Sequence, residues 1–488
     1  MKTKCTTTII AAVAAAFLLT GSITAFGQAE VDDLKAKMKA MEKMMQEMQQ
    51  KIADLEKQKA APAPTATPPA PVPPGEAAKV TLQPQTREIV GHASPIQDRQ
   101  TLNNQQEAAQ RPNDLTLDPQ YNGFIPVPNT LGLIRFNAKP RLDLMSDNRN
   151  SGDAERFITA RIPVRGDSNR GDGEQFNMNA KGSQLSVDVR APDMPGNFRF
   201  YYNNDFFGSG SSMAYRLKQL YGQLYNVTVG FTFSVFEDPD IWPDNVDYEG
   251  PNTALFARQP TVRYLLALND HWQINFGLQQ PGADIDDNPN IPALAGGSAN
   301  NQAPDGGFNI RWEDKKVGHV QFATIARYLG VRDAGATGDI EENAMGWGIN
   351  LSAGINTIGR DSMQLQFTYG EGIFRFVNDN FENNDAVLDS DGDLVPIPYF
   401  GIMAGYTHHW SDRWRSTATF GYANLDNEGT QTGDAYHETY YGSLNLIWQL
   451  RKRLSVGIEG LYGRKETNDG DTGDVFRAQV GMVYSLFD

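Results

Sequence analysis

The sequence predicts an all-β transmembrane barrel of 16 antiparallel strands, preceded by an N-terminal α-helical coiled coil. Three observations predict it. Segments that alternate apolar and polar residues at period two fill the chain from Gly132 to its end. The connections between them alternate between short and mostly long, and tryptophans gather beside the short ones. A soluble β-sandwich also alternates, so one strand does not separate the two folds. A sandwich has no cause to sort loops and tryptophans to one side.

At the N terminus, Lys2 and Lys4 precede the apolar run Ile9 to Leu19 and the small-x-small site Ala25-Phe26-Gly27. Residues 1–27 therefore read as a secretory signal cut after Gly27, with Ala29 the alternative. The only cysteine, Cys5, precedes the apolar run, so it is not placed as a lipid anchor and no disulfide is expected. Removing the signal, which carries two lysines and no acid, takes the net charge from −16 to −18. That balance argues against nucleic acid as a partner. Beyond the signal no run of about 18 apolar residues offers a membrane helix.

Residues 28–59 follow as a periplasmic coiled coil. Val31, Leu34, Met38, Met41, Met45, Met48, Ile52 and Leu55 recur at alternating spacings of three and four, as the two core positions of heptads. A single amphipathic helix lying on its own domain is the alternative, and the adaptable Met-rich seam leaves two against three strands open. Residues 60–75 hold seven prolines in sixteen positions and read as a semi-rigid spacer. Residues 76–131 are polar and aperiodic, an irregular periplasmic extension or a partial plug.

The barrel occupies 132–488. Its strands are expected near 132–144, 175–190, 197–207, 215–225, 227–236, 261–268, 272–279 and 306–313. The second half continues with 318–329, 344–356, 362–375, 399–410, 413–425, 439–449, 454–464 and 475–487. Arg156 to Val164 could be a further strand; placing it in the first long loop keeps the number even. In the last strand Phe476, Ala478, Val480, Met482, Tyr484 and Leu486 share one face. In the first, Ile134, Phe136, Ala138, Pro140, Leu142 and Leu144 do the same, and pairing first with last would remove both sheet edges. Trp272, Trp312, Trp410, Trp414 and Trp448 fall beside short turns, where an interfacial girdle would lie.

With apolar faces turned to lipid, alternation sends Arg135, Lys139, Arg141, Lys181, Arg199, Arg263, Arg311, Arg327, Arg415 and Arg477 inward, against Asp143, Asp188, Asp205 and Glu459. Such a basic interior would favour anions. The alternative is that these cations pair with loop acids and stiffen the wall. The loop from Glu237 to Pro260 carries Asp238, Asp240, Asp244, Asp247 and Glu249, and its prolines keep it out of the sheet. It is either a constriction folded into the lumen or an ordinary surface loop. Asp389-Ser390-Asp391-Gly392-Asp393 misplaces the glycine of a calcium loop, and the histidines have no zinc spacing. No nucleophile elbow or phosphate loop is present, so neither a metal, a cofactor nor a catalytic cluster is expected.

The residues resemble the DcaP-like trimeric porins of the Gram-negative outer membrane. The resemblance rests on the heptad helix, the Pro-rich spacer, Gly123-Phe124-Ile125-Pro126-Val127-Pro128-Asn129-Thr130, and Gly182-Ser183-Gln184-Leu185-Ser186-Val187-Asp188-Val189. It is most specific at Val229-Gly230-Phe231-Thr232-Phe233-Ser234-Val235-Phe236 and at Arg258-Gln259-Pro260-Thr261-Val262-Arg263-Tyr264. It implies a homotrimer in outer-membrane lipid and lipopolysaccharide, a periplasmic N-terminal segment, and passive uptake of small anionic solutes such as dicarboxylates. A phosphate-type anion porin is one alternative. Another is a structural barrel tethered to peptidoglycan by the coiled coil. The sequence departs from the family at Lys181-Gly182-Ser183-Gln184, where Arg-x-Ser-Arg is usual, and in ending Leu486-Phe487-Asp488 without an in-register aromatic.

Overall fold

A computed structural model of the chain describes residues 124–486, apart from 128, 131, 172, 192–193, 195, 210–212, 287–296, 336–337, 339 and 382–383. The signal, the coiled-coil positions Val31 to Leu55, the spacer and nearly all of the extension lie outside the described residues.

Within them, one large sheet dominates and every pairing of its long strands is antiparallel. β1 runs Leu133–Lys139 and resumes as Arg141–Asp147; Pro140, which has no N–H to offer a ladder, separates the halves. β2 is likewise in two pieces, Gln175–Asn179 and Gln184–Ala191. There follow β3 (Phe198–Asp205), β4 (Arg216–Leu224), β5 (Val227–Phe233), β6 (Arg258–Ala267), β7 (Trp272–Gln279) and β8 (Asp305–Asp314). The second half comprises β9 (Gly318–Ala334), β10 (Ile340–Asn356), β11 (Ser362–Glu371), β12 (Pro398–His409), β13 (Trp414–Leu425), β14 (Tyr436–Arg451), β15 (Leu454–Thr467) and β16 (Thr472–Tyr484). Each strand pairs with its neighbours in sequence. β16 also pairs with β1, from Arg477 opposite Asp147 to Val483 opposite Arg141. Beyond the ladder, the Tyr484 N–H donates to the Pro140 carbonyl at 3.1 Å and the Leu486 N–H to that of Ala138 at 2.9 Å.

Several expected strands end early, and two of these ends shape the interior. β5 stops at Phe233, so Ser234 to Phe236 belong to the loop, and β11 stops at Glu371. The second stop has a local cause: Gly372 adopts φ +69°, a conformation costly for any other residue, and turns the chain inward into a 3₁₀ turn at Phe374–Phe376. Arg156 to Val164 stays out of the sheet and contributes only the 3₁₀ turn Thr159–Arg161.

The two faces of the sheet differ as the alternation requires. One exposes large apolar side chains, among them Phe136, Val229, Leu278, Leu351, Leu444 and Phe476. The other buries Asp143, Arg199, Gln321, Asn350, Thr417 and Gln479. At the short-turn end Trp414 and Trp448 are register partners whose rings stack with centroids 5.3 Å apart, and Trp272 is opposite Trp312.

A uniformly polar interior is not what the fold contains. Towards the long-loop end, Ile158, Phe236, Leu255, Phe374, Phe376, Val387 and Ile397 from loops pack with Ile325, Tyr399, Leu425 and Tyr436 from strands into one apolar core. The sequence pattern of the strands alone does not reveal it, because most of its side chains come from the connections. They bury one another, and a buried aromatic cluster is stabilised by the area it removes from water.

Candidate functional site

The site is built by the segment 234–257 between β5 and β6. It leaves the ladder at Ser234, whose N–H bonds the Glu237 carboxylate, and forms a short 3₁₀ turn at Pro239–Ile241 capped by the Asp238 side chain. It then follows the polar face of the sheet in strand order. Val235 and Phe236 carbonyls accept from Asn309 of β8 and Asn350 of β10. Asp244 pairs with Arg415 of β13, and Asn245 contacts Thr419 and Tyr441 of β13 and β14. The Asp247 N–H donates to Glu459 of β15. The Val246 carbonyl accepts from Gln479 of β16 and Arg141 of β1. Tyr248 donates to Asp205 of β3 at 2.7 Å and accepts from Lys218 of β4 and Gln184 of β2. Thus the loop lines the buried polar face from β8 round to β4.

Most of the cations expected inside are held by carboxylates. Arg141 bonds Asp143, Arg477 bonds Asp147, and Arg199 bonds Asp188 in bidentate fashion with both N–O distances 3.1 Å. Arg311 meets Asp238, Asp240 and Glu313; Arg327 meets Asp305 and Asp385; Lys181 meets Glu155. Arg135 is a quarter exposed and reaches Asp188 only at 3.7 Å. Lys139 is partly buried. Arg263 is also partly buried, and no carboxylate lies within ion-pair distance of it among the described residues. The loop acids Asp238, Asp240 and Asp244 are buried against the arginines named above, Asp247 against Glu459 and Tyr441, and Glu249 against Arg156 of the first long loop.

Burial raises the Asp247 carboxyl, and the neighbouring charge of Glu249 adds to this, to about 7. Glu237 is raised well above the ordinary carboxylate range by burial, against the opposing Ser234 and Ala257 N–H groups and the charges of Arg258 and Arg263. Asp238 goes the other way: burial would raise it, but His319 and Arg311 together hold it far below the ordinary carboxylate range.

What the ring of contacts leaves open is a cavity of about 320 Å³ beside β4 and β6. Four guanidiniums line it: Arg156, Arg216, Arg258 and Arg375. Arg156 is neutralised by Glu249 (Nε to Oε2, 2.7 Å) and Arg216 by Asp205 (2.6 and 2.8 Å). Arg258 instead stacks over Phe256 at 4.6 Å, and Arg375 reaches only the Gln259 amide oxygen at 3.4 Å. Neither has a carboxylate within ion-pair distance among the described residues, and one buried guanidinium nitrogen of each, Nη1, lacks any hydrogen-bond partner. Buried charged donors left unmet are costly, and an anion would satisfy them.

None of these four was expected from alternation. Arg156 and Arg375 stand on loops, where a strand period says nothing. Arg258 begins β6 three residues before the expected strand start, though it belongs to the Arg258-Gln259-Pro260 motif. Arg216 follows an irregularity: the register of β3 and β4 slips after Asn203–Gln219, so Lys218 is an extra residue and Arg216 pairs opposite Asp205. Lys218, buried against Tyr248, places a cation near Gln184, which donates to the same Tyr248 hydroxyl.

A family model described as "DcaP outer membrane protein" matches residues 87–485. Among solved structures, the outer membrane channel DcaP of Acinetobacter baumannii is 17% identical with a TM-score of 0.63, over 73% of this chain and 97% of that one. An anion-selective porin from Comamonas acidovorans is 11% identical with a TM-score of 0.46, over 73% and 100%. OmpT of Vibrio cholerae is 12% identical with a TM-score of 0.44, over 74% and 99%. No curated protein matches.

Proposed function

This chain belongs to the DcaP outer membrane protein family, and from that premise we propose that it forms a closed sixteen-stranded barrel through which small anionic solutes diffuse passively. It is an outer-membrane porin and not an enzyme. The closed barrel is supported by the β16–β1 pairing and by a loop whose partners run in strand order round the polar face. Lipid contact is supported by the exposed apolar face, since each Å² left in water would cost about 25 cal/mol.

The observation that carries the anion reading is the pair of guanidiniums, Arg258 and Arg375, that line the cavity left by the loop with no carboxylate within ion-pair distance among the described residues and with one partnerless Nη1 each. Arg263, on the same strand as Arg258 and on the face of buried Thr261 and Leu265, is a further cation without a carboxylate within ion-pair distance among the described residues. Forked guanidiniums suit carboxylates, dicarboxylates among them, without a cofactor. In this reading residues 1–27 are the signal, 28–59 a periplasmic coiled coil joining three copies, 60–75 the spacer, 76–131 a periplasmic extension and 132–488 the membrane domain.

The test is the reversal potential of the purified protein in a planar bilayer under a salt gradient at neutral pH. Anion preference is expected. Cation preference would refute the reading.

A further inference from the structure

We propose that Phe381 is a gate between two cavities in series, a proposal that rests on the anion-channel reading. The inner cavity is the arginine-lined one described above. The outer cavity, of about 910 Å³, is lined by Arg161, Arg165 and Lys465 with Asp434, Asp469 and Asp471. Phe381 lines both.

Its base is rigid. Asp379 accepts from the Thr159 hydroxyl (2.7 Å), the Ala160 N–H (3.0 Å) and the Thr439 hydroxyl (2.9 Å), which ties the segment to the first long loop and to β14. Asn378 donates to the Glu249 and Pro251 carbonyls, which ties it to the inward loop. The ring beyond this anchor is only partly buried and rests on the edge of the apolar core.

Two cations face that ring. The Arg161 guanidinium carbon lies 4.4 Å from its centroid and that of Arg156 5.1 Å. Each arginine is fixed by a carboxylate, Asp153 and Glu249 respectively, so the ring is the part free to turn. An anion entering from the outer cavity competes with the ring's electron-rich face for the same two guanidiniums. A neutral solute has no such means of displacing it. Phe381 therefore sets both the width of the passage and its preference for charge.

Planar-bilayer recordings of wild type, Phe381→Ala and Phe381→Trp test this, with heat-dependent gel mobility as the check on folding. Phe381→Ala should raise single-channel conductance roughly twofold and weaken exclusion of neutral sugars in liposome swelling, and Phe381→Trp should lower conductance. Should the alanine variant fail to fold, Phe381→Cys, the one cysteine left once a signal ending at Gly27 is removed, is recorded before and after a bulky thiol reagent, which should block the current. Unchanged conductance in both substitutions, or a silent modification, overturns the gate while wild type still conducts anions. A wild-type protein that opens no anion-selective pore overturns instead the reading on which the gate rests.

Discussion

Arg311 of β8 and Asp238 of the inward loop lie 3.1 Å apart with both side chains sealed from solvent. Asp238 also meets His319 at 2.9 Å and the Ser352 hydroxyl at 2.7 Å, so one carboxylate joins three strands to the loop. Removing one partner of a buried ion pair strands the other charge at a cost of about 3–5 kcal/mol. Arg311→Met should therefore lower the temperature at which the folded gel band converts to the unfolded one. It should also make the open-channel current noisier, because the loop is loosened where it starts. An unchanged transition and a quiet trace would show that the lock is dispensable.

The arginines divide into those with a carboxylate within ion-pair distance and, among the described residues, those without one. Replacing Arg258 and Arg375 together by Gln should reduce the anion-to-cation permeability ratio by roughly an order of magnitude, about 1.4 kcal/mol. Arg199→Gln removes a cation whose charge Asp188 already shares with Arg190, so selectivity should change little while thermal stability falls. Equal effects on selectivity from both sets would erase the distinction.

Asp247 gives a pH dependence of definite sign. Its folded value, about 7, lies above its ordinary value of 3.8, so the folded protein holds this proton more tightly than the unfolded chain does. Its contribution to stability is therefore full at low pH and is lost as pH rises through about 7. Asp247→Asn keeps the side chain uncharged throughout. Melting temperatures between about pH 5 and pH 8 should decline less steeply in the variant than in wild type. Parallel curves would remove Asp247 as the cause.

The seam between β16 and β1 makes a further prediction. Deleting Tyr484 to Asp488 removes the backbone bonds of Tyr484 to Pro140, Ser485 to Arg453 and Leu486 to Ala138. With an edge opened in lipid, unsatisfied peptide groups cost several kcal/mol each. The truncated chain should fail to give a heat-modifiable band on refolding in detergent. A normal band would mean that the seam closes without these residues.

The strands were legible because a two-sided wall leaves a period-two record in every segment that crosses it. Phe476 to Leu486 and Ile134 to Leu144 announce their outer face, and the short turns with Trp414 and Trp448 announce one end. The loop acids Asp238, Asp240 and Asp244 were also visible in the sequence, though nothing local said whether they faced solvent or arginine.

By itself, then, the sequence determined the all-β class, the position of each long strand and which face of each is apolar, since all three follow from alternation within a few neighbouring residues. Only the tertiary structure decided which charges remain unspent. Arg477 and Arg415 are neutralised by Asp147 and Asp244, 330 and 171 residues away in the chain, while Arg258 and Arg375 have no acid within ion-pair distance among the described residues, because ion pairing depends on distances of a few ångströms between residues far apart in the chain. The bulge at Lys218 and the inward turn at Gly372 are local irregularities that no period could announce, and they bring Arg216 and Arg375 to one cavity.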